Sequence, residues 1–307
     1  QFLNRRLSDI QIELNFFYNL NSSNRETIVG DSPKLLVETG YGNNDIIGPN
    51  PKHGTAVAGV IAANEFSRDQ ASGVAKSVEI MSLRVVPEGD ERDKDIINAI
   101  YYAINNGAHI INLSFGKYFS AHKKAVNTAI AKAQEQGIFI VHSAGNESIN
   151  TDSHQIYPYF ENKSWEYNTW IRVAASGNNK DGNLIMPFSN YGKTSVDFLA
   201  PGVLINTLAP NGKYIRHSGS SMSAPIVSGL IALSMNQFGK MNSSTLRQAI
   251  EKSLVDPSKF NFSHQNSEFV LNSVKRYGIP NALKTFQFLE QKLFLLSAPP
   301  MNFLGNY

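Results

Sequence analysis

Ser221 stands at the head of a long apolar segment in this 307-residue chain. Gly219-Ser220-Ser221-Met222-Ser223-Ala224-Pro225 leads into Ile226, Val227, Leu230, Ile231, Leu233 and Met235. That pattern predicts a helix apolar on most sides, running through a core. Pro225 fits a first helical turn, and Gly219 lets the backbone turn sharply before it. A serine there faces unpaired backbone N–H groups and the positive end of the helix dipole, so a negative charge developing beside it is stabilised. The competing role is capping, the commoner use of serine at a helix start. His53 opens a second apolar helix, His53-Gly54-Thr55-Ala56-Val57-Ala58-Gly59-Val60-Ile61-Ala62-Ala63, whose small residues allow close packing. Asn146 follows the apolar run Ile138-Phe139-Ile140-Val141 in His142-Ser143-Ala144-Gly145-Asn146. Taken singly, the histidine suits a structural role and the asparagine a turn. Together they offer nucleophilic chemistry. A hydroxyl is a weak nucleophile at neutral pH, and His53 could take the Ser221 proton and return it to a leaving group.

The elements that must hold these residues alternate. Val78–Val86 reads as a strand, Asp93–Asn106 as a helix stopped by Asn106-Gly107, and His109–Ser114 as a strand. A helix over His122–Gln136, a strand over Ile138–Val141 and a strand over Trp170–Ala175 follow. Strands alternating with helices of this length imply right-handed crossovers and a mainly parallel sheet. Ser195–Gly202 and Lys213–Arg216 read as shorter, hairpin-type strands, and residues 241–250 as a helix. Residues 1–50 are polar and irregular, with Asn-Ser-Ser-Asn at 21–24, and read as a surface segment or insert. The main domain is expected over 51–290 and a tail over 291–307.

Composition narrows the function. Lys and Arg total 28 against 25 Asp and Glu, a net charge of +3, and no basic run exceeds two residues. That excludes a nucleic-acid footprint. No apolar run is long enough to span a membrane. The absence of cysteine removes disulfides, thiol catalysis and cysteine-held metal. His109, His122, His142, His154, His217 and His264 are scattered without metal-ligand spacing.

The segments around His53 and Ser221 resemble the H-G-T-x-V-A-G and G-[ST]-S-M-[SA]-x-P motifs of the subtilisin-like serine proteases, the subtilases. Ala-Gly-Asn at 144–146 agrees, and the three motifs run in the family's order. The resemblance covers about residues 40–290. It implies a subtilisin-like three-layer α/β sandwich, a mainly parallel sheet flanked by helices. It implies a serine endopeptidase in which Asn146 and the Ser221 backbone N–H bind the oxyanion. It implies a substrate pocket walled by Leu113, Ser114, Phe115 and Gly116 on one side and Ser143, Ala144 and Gly145 on the other. A bound peptide would pair with the first of these segments as an added strand. The partner is a peptide or protein substrate. No cofactor and no metal are expected. Structural calcium is common in the family, but no acidic loop here specifies it.

Departures from the pattern limit the machine. Ala56 stands where the family has a second histidine, Ser220 where it has threonine and Ser223 where it has alanine; these imply packing changes only. The family's aspartate, at the end of an early strand before [ST]-Gly, has no clear match. Asp9, Asp31 and Asp45 precede His53, and none ends such a strand. Asp31 in Ile-Val-Gly-Asp-Ser and Glu38 in Leu-Leu-Val-Glu-Thr-Gly are the nearest imitations. Three readings follow. The acid-bearing segment is a separate N-terminal fragment or lies upstream of Gln1, or Asp31 or Glu38 substitutes. In the third the chain is an impaired subunit that binds peptides or supports a cell-envelope complex. A start at Gln1 rather than Met fits export and maturation, hence the periplasm, envelope or outside. A rival α/β-hydrolase would need Gly-x-Ser-x-Gly at the nucleophile and its histidine after the serine; here Gly219-Ser220-Ser221-Met222-Ser223 stands instead, and His53 precedes Ser221.

Overall fold

The computed structural model describes residues 7, 10, 27, 29–32, 34–48, 50–64, 71–86, 91–160, 169–177, 183–239, 241–256 and 267–297. Asp9, His264, residues 21–24 and the stretch from 298 onward lie outside them. The helices are α1 (Lys52–Ala62), α2 (Asp93–Asn105), α3 (Lys123–Glu135), α4 (Ser220–Phe238), α5 (Ser243–Lys252), α6 (Ser267–Leu271) and α7 (Ala282–Ser297). The strands are β1 (Ile110–Leu113), β2 (Phe139–Ser143), β3 (Trp170–Ser176), β4 (Phe198–Pro201), β5 (Ile205–Ala209) and β6 (Lys213–His217).

Four strands pair in parallel in the order β1-β2-β3-β4. β2 and β3 are buried along their whole length, which is why they read as continuous apolar runs. Side chains of a strand alternate between the two faces. Phe139, Val141, Ile171, Val173 and Phe198 accordingly pack with Ala224, Val227, Leu230 and Ile231 of α4. Ile140, Leu113 and Trp170 point the other way, onto Ile96, Ile97 and Ile100 of α2 and Val126, Ala129 and Ile130 of α3. The result is three layers: α4 with α5 and α7, the sheet, then α2 and α3. Burying one such aliphatic or aromatic side chain contributes roughly 1.5–3 kcal/mol, so these two faces supply most of the fold's cohesion.

Three expectations are corrected. Val78–Val86 forms no ladder, and Glu79 to Ser82 are exposed. β-rich composition makes a strand only where a neighbour takes its N–H and C=O groups, and among the described residues the sheet ends at β1. The 198–201 segment is not part of a hairpin: it extends the parallel sheet, with Val173 opposite Phe198. The hairpin is β5 with β6, Ile205 opposite His217. The last helix runs on to Ser297, into the stretch expected as tail.

Candidate active site

α4 begins one residue earlier than its serine. Ser220 is its first residue, and Gly219, with φ +148°, precedes it without any side-chain cap. Ser221 is therefore not a capping serine. It is buried, and its Oγ has no hydrogen-bond partner among the described residues. Pro225 lies in the second turn rather than the first. Its missing N–H leaves the Ser221 carbonyl without the helical partner four residues on. The Ser114 hydroxyl donates to that carbonyl instead, at 2.9 Å. Asn112 donates to Ser114 Oγ at 2.8 Å and accepts from Ser228 at 2.9 Å. The end of β1 is thus tied to the serine helix through side chains.

Asn146 sits in the turn after β2. Its Oδ1 accepts from the Ser220 backbone N–H at 2.8 Å, which turns Nδ2 the other way. A side chain added to Gly219 would put its Cβ 3.1 Å from Ser221 Oγ and 3.5 Å from Asn146 Nδ2. One small space therefore faces both groups, and only glycine leaves it open. Ser220 Oγ bridges the backbone of the same turn, accepting from Gly145 N and donating to Gly145 O, each at 3.0 Å. Ser223 Oγ donates to Ala200 O at 3.0 Å, fixing α4 on the end of β4. The two hydroxyls expected as minor replacements carry the helix's attachment to the sheet.

His53 lies in the first turn of α1. That helix packs on α4 through Ala56, Val60 and Met222. Ala56 is fully buried there, leaving no volume for the family's second histidine. Thr207 Oγ1 of β5 donates to Ala56 O at 2.7 Å, so the β5–β6 hairpin is docked on α1. The hairpin sets the His217 ring edge-on to His53, with centroids 6.0 Å apart. His53 is exposed over part of its surface, yet crowding of its ring holds its pKa below the usual value, and the His217 charge pushes the same way. No carboxylate among the described residues acts on it. Asp31 and Glu38 both bind Lys94 of α2, Asp31 at 3.0 Å. Asp45 caps the N–H groups of Ile47 and Gly48 and lies 3.7 Å from Arg84.

If neutral His53 accepts the serine proton, activity falls as pH drops through its lowered pKa. His217→Phe keeps the ring and removes the charge. The acid limb of kcat/KM is then expected to move to higher pH, while burial still holds it below the ordinary histidine value of about 6.5. An unmoved limb in a pH–rate profile counts against the coupling.

A pocket of about 350 Å³, part of it open to solvent, adjoins Asn146. Ser114, Phe115, Gly116, Ser143 and Gly145 line it. Leu113 and Ala144 do not: both are packed in hydrophobic clusters of the core. Lys117, Tyr118, Glu147 and Ile156 also line it and were missed in the sequence. Lys117 is locked to Asp93 at 2.8 Å, and the Asn190 amide holds Glu147. A larger groove on α5 involves Arg247, Glu251 and Arg276, which are paired with one another, Arg247 also with Asp197, and lies away from these groups. Among the described residues no cluster of three or more His, Asp and Glu could hold a metal, and no helix is long and apolar enough to cross a membrane.

Ser221 and Asn146 gather at the carboxyl ends of β1, β2 and β4, where open parallel sheets place their sites, and His53 stands on the helix packed against α4. This is the three-layer α/β class of the subtilisins. The chain belongs to the subtilase family, whose model matches residues 36–278. It is 37% identical over 201 residues to a thermophilic serine proteinase of Bacillus sp. (strain AK1), covering 65% of this chain and 46% of that one. It is 34% identical over 202 residues to the major intracellular serine protease of Bacillus subtilis (strain 168), covering 65% and 60%. The chain thus spans about half the length of several of these relatives. Among solved structures it resembles the subtilase cytotoxin SubAB (TM-score 0.65, 25% identity, 80% of this chain and 79% of that one). It also resembles the prenylagaramide maturation protease PagA (TM-score 0.59, 26% identity, 79% and 84%).

Proposed function

We propose that this chain is a serine endopeptidase acting on peptide or protein substrates outside the cytoplasm. Ser221 Oγ attacks the scissile carbonyl while its proton passes to His53. The tetrahedral oxyanion takes hydrogen bonds from Asn146 Nδ2 and the Ser221 N–H. His53 then protonates the leaving amine, and water repeats the sequence to free the acyl-enzyme. The steps use side chains and backbone alone, with no cofactor. The observation that carries this reading is the unpartnered Ser221 hydroxyl at a helix N-terminus, sharing one small space with Asn146 Nδ2.

The acid that orients His53 is neither Asp31 nor Glu38, since Lys94 holds both. A carboxylate outside the described residues, on this chain or on a separate N-terminal fragment, supplies it. The direct test is a fluorophosphonate probe followed by mass spectrometry of the digested chain. An adduct on Ser221 is expected. A folded chain that stays unlabelled loses the catalytic reading and leaves a peptide-binding subunit.

A further inference from the structure

His142 and Arg172 are register partners in the middle of β2 and β3, two strands that are otherwise almost wholly apolar. Both are buried, Arg172 with 1% of its surface exposed. A buried ion of this size is costly unless every bond it makes has a purpose, and apolar replacements are often neutral or stabilising. Two of the three side-chain bonds made here lead to the pocket, while Arg172 Nη1 has no partner among the described residues. Arg172 Nη2 donates to Ile156 O at 2.7 Å and to Pro158 O at 2.8 Å. Arg172 Nε donates to His142 Nδ1 at 3.2 Å. That bond puts the His142 proton on Nε2, which donates to Phe115 O at 2.8 Å. Ile156 and Phe115 both line the pocket, on two separate segments of the chain. Gly116 follows Phe115, and a Cβ added there would come 2.7 Å from Ile156 Cγ2. The backbone pair Lys117–Tyr157 joins the same two segments, with bonds of 2.9 and 2.8 Å.

We propose that the buried Arg172–His142 pair is a positioning device that fixes the shape of the substrate pocket by tying two of its lining segments to one guanidinium. The pair touches no reacting atom. It acts through Phe115 and Ile156, and so governs which side chain the pocket accepts. The relay needs a neutral imidazole and a charged guanidinium. Burial and the Arg172 charge hold His142 well below the ordinary histidine pKa. Burial lowers Arg172 only to about 10, so it stays protonated at neutral pH. The inference rests on reading the pocket as the place of a substrate side chain.

The test is the double variant His142→Leu with Arg172→Met, which conserves volume and leaves no orphaned charge. Titration calorimetry compares two acetylated tetrapeptides that differ only in ending with Ala or Leu. The native chain is expected to separate them by about 10-fold or more, the scale of a shaped apolar pocket. The double variant should separate them by about 3-fold or less. Labelling of Ser221 by a small fluorophosphonate should keep its native rate, because the probe leaves the pocket empty. Unchanged discrimination in the folded variant overturns the proposal, as does labelling that slows in step with lost discrimination. Absence of labelling in both chains sinks the catalytic reading alone, and the binding data still decide the pair's role. Should the variant not fold, nitrogen-15 spectra of the native histidines decide: the Leu-ended peptide must shift His142 more than the Ala-ended one, and equal shifts refute the device.

Discussion

His53→Ala is expected to lower kcat of this chain by about 10²-fold, far short of what a complete serine triad loses. Removing the base of a full triad costs about 2 × 10⁶ in kcat, and removing only the acid about 3 × 10⁴. A site already without its acid therefore has about 10² left to lose with its base. That is the state of His53 among the described residues, where burial and the neighbouring His217 set its pKa and no carboxylate takes part. The two nearest imitations of an acid serve elsewhere. Asp31 and Glu38 neutralise Lys94, which is itself nearly buried, and fasten the 31–38 segment to α2. The comparison is made by steady-state kinetics on one peptide substrate, native chain against variant. A loss near 10⁶ would show that a carboxylate reaches His53 in this chain after all. Adding a fragment that supplies an aspartate should raise the loss from about 10² toward that figure.

What could be read from the sequence depended on whether the signal was local. Ser221, His53 and Asn146 were legible because each stands beside an apolar run whose period reveals the element and therefore its end. β1, β2, β3 and the helices between them were legible for the same reason. Pairing was not. Whether Phe198–Pro201 turns back or joins the sheet depends on a partner 25 residues away, and Val78–Val86 carries strand composition with no ladder to join. The pocket splits along the same line. Ser114 to Gly116 follow their strand directly, whereas Ile156 enters from a loop whose path no periodicity describes. His142 and Arg172 each left a trace, one polar residue in an apolar strand. Their meaning needed the register that sets them side by side. His217 left less, a histidine four residues before Ser221, and only the docking of the hairpin on α1 explains its neighbour.

Asn146→Ala is expected to lower kcat by about 10²–10³-fold, with KM little changed. The Asn146 amide is preorganised. The Ser220 N–H holds Oδ1 at 2.8 Å, so Nδ2 is aimed before any substrate arrives and does not have to turn during the reaction. A donor fixed this way stabilises charge that exists only in the tetrahedral state, which affects kcat and not ground-state binding. Asn146→Asp separates this role from shape. The aspartate can still accept from the Ser220 N–H, but its second oxygen would face the oxyanion with a negative charge. Its kcat should fall at least as far as that of the alanine variant, despite near-identical volume. Asn146 also lines the pocket, which provides the opposing outcome. If both variants raise KM and leave kcat intact, Asn146 is a wall of the pocket and not an oxyanion donor.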